Sequence, residues 1–254
     1  MKNGLMAAMV TVGLALTGTM ASAETVRVGV AAEPYPPFTS PDASGNWSGW
    51  EVDFMNAVCA EAGFDCEITP VAWDGIIPAL NSNKIDAIMS SMSITEERQK
   101  EIDFSDKYYN PPANVIAAKG SGITPDAAGL AGKILAVQVS TIHQAYAVKH
   151  FGDADIREYQ TQDEANQDLV AGRVDAALAD SLALDSFLAA EGDCCEVAGA
   201  VEHDEAVLGS GVGVGLRKGD EKLQAFNDAI AAVRASGAYD EITKQYFEFD
   251  IYGE

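Results

Sequence analysis

An apolar run, Ile85–Met89, ends in Ser90, Ser91 and Ser93, and a single arginine, Arg98, follows shortly after. A guanidinium is always charged and presents a planar fork of donors that grips a carboxylate two-pronged. A second set lies far downstream. Asp180 ends another apolar run and supplies a carboxylate suited to an ammonium group, with the hydroxyls of Ser91 and Ser93 as further acceptors. Thr141 opens a helical pattern just after a strand-like run, so it offers free backbone N–H groups and the positive end of a helix dipole. Together these groups complement a zwitterion, and each charge-assisted hydrogen bond contributes about 1.5–3 kcal/mol. Each also has a plainer reading. Ser93 to Glu96 fits a capping box, Arg98 fits a solvated helix position, and Asp180 fits an N-cap.

Aromatic and acidic residues stand beside these groups. EPYPPF places Glu33 and Tyr35 in a proline-stiffened segment after the first strand, Trp73 separates a strand from Asp74, and Trp50 precedes Glu51 at a helix start. Such rings serve a core as readily as a site, but all three sit at strand-to-helix junctions. There, two of them could sandwich an aliphatic or cationic side chain.

The elements that must position these residues alternate between strand and helix, as in an α/β architecture with largely parallel sheets. Thr25–Val30, Cys66–Trp73, Ile85–Met89 and Lys133–Val139 read as strands. Asp74 is expected to cap a helix through Leu80, and Thr141–Gln144 and Thr161–Glu164 read as capping boxes. Leu223, Phe226, Ile230 and Val233 give the spacing of a core-facing helix, and Tyr239, Ile242 and Tyr246 that of a last one. Leu80–Ser91 (LNSNKIDAIMSS) and Leu169–Asp180 (LVAGRVDAALAD) match position for position, about 90 residues apart. One helix–turn–strand unit used twice predicts two similar lobes, and the match equates Ser91 with Asp180. Ligands of open α/β sheets bind outside the carboxyl ends of strands. If the lobes face each other, Ser90, Ser91 and Asp180 reach one cleft.

Residues 1–23 read as a secretory leader: Lys2, an apolar Leu5–Leu16, and Ala21-Ser22-Ala23 as the cleavage signal, so that the mature chain starts at Glu24. Lys2 is the only charge in the leader, leaving 15 basic against 39 acidic residues, a net charge of −24. That surface repels phosphate backbones and excludes a nucleic-acid partner. Export permits disulfides. The four cysteines allow three pairings, of which Cys59–Cys66, across a helix–turn–strand reversal, is favoured; Cys194 and Cys195 are then a vicinal disulfide or two free thiols. His143, His150 and His203 show no metal-ligand spacing relative to the cysteines. Gly209–Gly219 is glycine-rich but carries neither a dinucleotide fingerprint nor a phosphate loop, and there is no G-x-S-x-G. No metal and no cofactor are expected.

YPPF, Cys59 with Cys66, WDGIIPAL, KIDAIMSSMSITEERQKEIDFSDKYY, GVGVGLRK and YFEFDIYGE carry a resemblance over nearly the whole mature chain. The chain resembles the periplasmic amino-acid-binding proteins of ABC transporters (bacterial solute-binding protein family 3), and most of all the lysine/arginine/ornithine- and histidine-binding group. The resemblance implies a two-lobed periplasmic-binding-protein fold of type II, each lobe a mostly parallel sheet flanked by helices. Lobe 1 would comprise 24–110 and 208–254 and lobe 2 111–207, with crossings near 110–113 and 203–211. It implies that Arg98 takes an α-carboxylate, that Ser91 and Ser93 help hold both backbone groups of the ligand, and that Asp180 takes the α-ammonium. Tyr35 and Trp73 would flank the side chain, and Ser90 and Glu51 would lie near its end; Thr141, Ile142, Gln138, Glu33 and Trp50 are further candidates for the same cleft. Cys59–Cys66 matches the family disulfide. Departures fall on specificity. Glu33 only approximates an acidic position, Gln138 replaces an aliphatic residue, Ser140 a glycine and Ile142 a threonine, and Cys194-Cys195 has no counterpart. The implied role is a monomeric periplasmic receptor, not an enzyme, that delivers a basic L-amino acid to a membrane permease. The alternatives are a binder of opines or other polar amino acids, a same-fold dehydratase, and a ligand-presenting sensor.

Overall fold

The computed structural model describes residues 23–191 and 193–253. The leader expected over residues 1–23 therefore lies, but for Ala23, outside the described residues. The chain begins with β1 (Glu24–Ala31), a small hairpin of β2 (Ser40–Pro41) and β3 (Trp47–Ser48), α1 (Trp50–Ala62) and β4 (Phe64–Val71). A single 3₁₀ turn (Trp73–Gly75), α2 (Ile76–Asn81), β5 (Ala87–Ile88), α3 (Glu96–Gln99) and β6 (Ile102–Phe104) complete the first pass. The middle of the chain supplies β7 (Ala113–Ala118), α4 (Ala127–Leu130), β8 (Ile134–Gln138), α5 (Ile142–His150) and β9 (Asp155–Tyr159). It continues with α6 (Gln162–Val170), β10 (Ala176–Asp180), α7 (Ser181–Glu191), β11 (Cys195–Ala200) and α8 (Glu205–Leu208). The return consists of β12 (Gly215–Arg217), α9 (Lys222–Ala235) and α10 (Ala238–Thr243).

Two five-stranded sheets result, ordered β4-β1-β5-β12-β6 and β11-β7-β10-β8-β9. Read from opposite ends they are the same sheet: β1, β4 and β5 pair in parallel as β8, β9 and β10 do. The sequence repeat survives in the backbone. Asp86 N–H donates to Arg27 O as Asp175 N–H donates to Ile134 O, and the two aspartate carboxylates accept the N–H of those same partners. Asn83 and Gly172, equivalent in the repeat, both take positive φ, 58° and 65°.

Each sheet is mostly parallel, as expected, with four of its five strands running one way and one reversed. β12 runs antiparallel to β5 and β6, and β7 antiparallel to β10 and β11. These are the strands by which the chain enters each sheet from the other. Parallel strands end at the facing edges, so a strand that starts there must run the opposite way. The crossings pair with each other. Val212 N–H donates to Tyr109 O (2.8 Å) and Tyr108 N–H to Val212 O (2.8 Å). Gly209 (φ 81°) lets the second crossing pass close to the loop after β5, since a Cβ there would lie 2.2 Å from Ile94 O.

The first sheet packs under α1 and α9 around Trp50, Phe54, Tyr108, Tyr109, Phe226 and Ile230. The second has its own clusters on either face, around Leu135, Tyr146 and Leu178 and around Ile116, Leu169 and Leu184. α9 buries Phe226, Ala229, Ile230 and Val233, so the expected spacing matches the observed face. Cys59 and Cys66 are bonded, bridging the end of α1 to β4 across the left-handed Gly63, and Cys194 is bonded to Cys195. Two caps differ from expectation. Asp74 caps nothing, because the chain takes the 3₁₀ turn first and α2 starts at Ile76 without a side-chain cap. Thr95, not Ser93, caps α3, accepting from Arg98 N–H, because Ser93 is paired with Val212 of the second crossing.

Candidate functional site

The carboxyl ends of β1, β5, β8 and β10 face one cleft of about 560 Å³, counted to its open mouth. It collects Glu33, Tyr35, Trp73, Ser90, Ser91, Ser93 and Arg98 from the first lobe, and Gln138, Thr141, Ile142 and Asp180 from the second.

Arg98 reaches the cleft from the short α3. Its Nη1 donates to Ser93 O (2.9 Å), its Nη2 to Ser140 O (3.3 Å), and its guanidinium lies 5.4 Å from the Trp73 ring centre. Among the described residues no carboxylate comes within ion-pairing distance of it. Burial pulls its pKa down to about 10, opposed by the field of Asp180. A positive fork fixed by carbonyls, with no anion of its own, has the chemistry to grip a carboxylate two-pronged. Thr141 caps α5, accepting from Gln144 N–H and donating to Gln138 O (2.7 Å). The partner arm of that capping box is displaced: Gln144 Oε1 accepts from Ser140 N–H instead. Ser140 has a left-handed backbone (φ 58°), and its carbonyl is turned toward both Arg98 and Trp73 Nε1.

Asp180 is 4% exposed. Its Oδ2 accepts from the hydroxyl of Tyr35 (2.8 Å), a bond that spans the two lobes, while Oδ1 is buried without a hydrogen-bond partner. Burial and Asp180 together push the Tyr35 phenol well above its ordinary pKa, so it remains a donor. Oε2 of Glu33 is likewise buried without a partner. The cleft thus holds an unpaired cation and two incompletely satisfied carboxylates.

Three predicted residues sit differently. Trp50 does not line the cleft. It is fully buried in the first lobe, stacked on Phe54 and Tyr108 with Nε1 donating to Thr243 Oγ1 (3.1 Å), because the first turn of α1 points into the core. Glu51 lies behind the wall rather than in it. Both its oxygens accept from Ser91 N–H (2.8 and 3.0 Å), one also from Ser91 Oγ, and Tyr108 donates its hydroxyl to the other. Burial raises its pKa, opposed by those hydrogen bonds. Ser90 borders the cleft, but its hydroxyl accepts from Ala31 N–H and closes the β1–β5 junction. Gln138 lines the second-lobe wall, its Nε2 donating to Gln160 O (3.1 Å).

Sequence reasoning missed His143 and Gln162, which also line the cleft. Each stands in the first turn of a helix capped by threonine, just after a strand of the second sheet. The rule that selected Thr141 would have selected both had it been carried into the first helical turn.

Residues 26–249 match the profile of the bacterial extracellular solute-binding proteins, family 3. The chain is 42% identical over 240 residues to an L-arginine-binding protein of Pseudomonas aeruginosa, covering 92% of each. It is 41% identical over 261 residues to the lysine/arginine/ornithine-binding periplasmic protein of Escherichia coli, covering all of both. A solved ancestral arginine-binding protein bound to arginine superposes with a TM-score of 0.81 at 30% identity, covering 89% of this chain and 100% of that one.

Proposed function

The chain belongs to the bacterial extracellular solute-binding proteins, family 3, and from that premise we propose that it captures a basic L-amino acid between its lobes and presents it to a membrane ABC permease. The observation that carries this reading is the charge pattern of the cleft: Arg98 without an anion on one side, Asp180 with Oδ1 unfilled on the other. In this reading Arg98 and the N–H groups at the start of α5 take the α-carboxylate, and Asp180, Ser91 and Ser93 take the α-ammonium. Tyr35 and Trp73 cover the side chain, and Glu33 receives its cationic end. Ser90 and Glu51 support the ligand-facing loop from behind, and Gln138 and Ile142 shape the opposite wall. No bond is made or broken. The protein acts as a monomer in the periplasm after removal of its leader, and the permease reads the form in which both lobes hold the ligand.

Titration calorimetry with L-arginine, L-lysine, L-ornithine, L-histidine, opines and polyamines tests it. Arg98→Ala should weaken every α-amino acid at least about thirtyfold, since a two-pronged charge-assisted contact is lost. Undiminished binding by that variant, or binding of polyamines alone, would remove the carboxylate assignment. Preference for opines would move the reading to extended conjugates, for which Gln138 and Gln162 supply amides on the second-lobe wall. Turnover of a cyclic carboxylate would replace it with a dehydratase.

A further inference from the structure

We propose that His143 is a further contact for the ligand's ammonium group, acting as the neutral imidazole, so that capture of the amino acid is coupled to loss of a proton. This inference rests on the amino-acid reading above. Nε2 of His143 lies 3.2 Å from Oδ1 of Asp180, and both side chains are 6% exposed. The two atoms are close but not aligned as a hydrogen bond, and each is buried without a partner. The other oxygen of Asp180 is already occupied by Tyr35. Both residues line the cleft.

Buried polar atoms without partners are costly, and two of them facing one cavity call for a shared donor. A primary ammonium has three hydrogens. It gives one to Oδ1 of Asp180 and one to the lone pair on Nε2, which is free when the imidazole proton resides on Nδ1. A protonated imidazole reverses this. Its Nε2 then carries a hydrogen and has no lone pair to offer the ammonium, and its charge opposes the incoming cation. Proton and ligand therefore compete at Nε2.

Several charged or titratable groups surround the pair. Tyr35 follows β1, Arg98 lies on α3, Tyr109 on the first crossing, and Glu51 behind Ser91, all within the field of Asp180. Glu33 lines the same cleft. Tyr35 and Tyr109 are pushed well above their ordinary range and Arg98 titrates at about 10, so none of them changes charge near neutrality. Glu51, raised by burial, is the rival source of a pH slope, and a slope from it would survive replacement of His143.

The test is calorimetry of the mature chain with L-arginine and L-lysine from about pH 5 to about pH 8, in two buffers of different ionisation enthalpy. The Kd should rise as pH falls, approaching tenfold per unit at the acid end, with up to about one proton released per ligand bound. His143→Gln keeps an acceptor that does not titrate, and both the slope and the proton release should disappear. A flat wild-type profile, or a wild-type slope retained in His143→Gln, overturns the assignment. If His143→Gln does not fold, His143→Asn takes its place with the same expected loss of slope and release, and absence of proton release from the wild type ends the coupling on its own. No binding of either amino acid at about pH 8 would bring down the amino-acid reading and this one with it. Binding without a pH slope strikes only the role of His143.

Discussion

Glu33 and Glu51 are both acidic residues that the sequence places near a ligand, and burial separates their roles. Oε2 of Glu33 is buried at the cleft wall with nothing to accept from, and an empty buried acceptor costs about 1–3 kcal/mol. A guanidinium or ammonium at the end of a ligand side chain fills it. An uncharged amide fills it less well. Glu33→Gln should therefore weaken L-arginine and L-lysine about 10- to 100-fold while changing L-glutamine by less than about threefold, as measured by calorimetry. Equal losses for all three would mean that Glu33 shapes the wall and does not read charge. Glu51, in contrast, is fully buried and already saturated with donors. It holds Ser91 in a left-handed conformation (φ 54°) that a non-glycine residue reaches at a cost of about 1–2 kcal/mol. Its nearness to the cleft was implied by the family resemblance. Its direction was not, because the first turn of α1 decides which way it points, and that turn is anchored by Trp50 in the core.

At the scale of elements, the repeated helix–turn–strand unit was the most legible feature, since it rests on turn chemistry and hydrophobic pattern within a dozen neighbouring residues. The structure keeps its left-handed turn residue and its aspartate-to-strand bonds in both copies. Less legible were features set by distant chain. The antiparallel direction of β7 and β12 follows from where the chain crosses, and the cap of α3 follows from the pairing of Ser93 with Val212. Local sequence offers Ser93 as the cap through Ser93–Glu96, and only the second crossing moves the role to Thr95. The two hydroxyls should thus separate in experiment. Thr95→Ala removes the acceptor of Arg98 N–H (3.2 Å) and should lower the unfolding free energy by about 1 kcal/mol, read from urea melts. Ser93→Ala should leave the melt within about 0.5 kcal/mol of wild type, yet weaken amino-acid binding several-fold. A large stability loss in Ser93→Ala with unchanged affinity would return the cap to Ser93 and remove it from the site.

At the scale of the molecule, two lobes built on the same plan meet through a small set of polar contacts. Tyr35 hydroxyl reaches Asp180 (2.8 Å), and Trp73 Nε1 and Arg98 Nη2 both reach Ser140 O (3.3 Å each), while Leu182 at the start of α7 packs on the first core. Each such hydrogen bond contributes about 0.5–1.5 kcal/mol net, so without ligand the approach of the lobes rests on a few kcal/mol. The net charge of −23 works against that approach and is weakened by salt. A ligand that bonds to Arg98 on one wall and Asp180 on the other adds its binding energy only where the walls meet, and the balance moves toward closure. Small-angle X-ray scattering should register this as a fall in radius of gyration when L-arginine saturates the protein, toward about 17 Å for a compact chain of this length. Tyr35→Phe removes the direct bond between the lobes, so its ligand-free form should be the more extended of the two proteins and its contraction on saturation the larger. An unchanged radius in both, alongside calorimetric evidence of binding, would mean that the cleft fills without the lobes moving. The proposed permease would then have to distinguish loaded from empty protein by something other than shape.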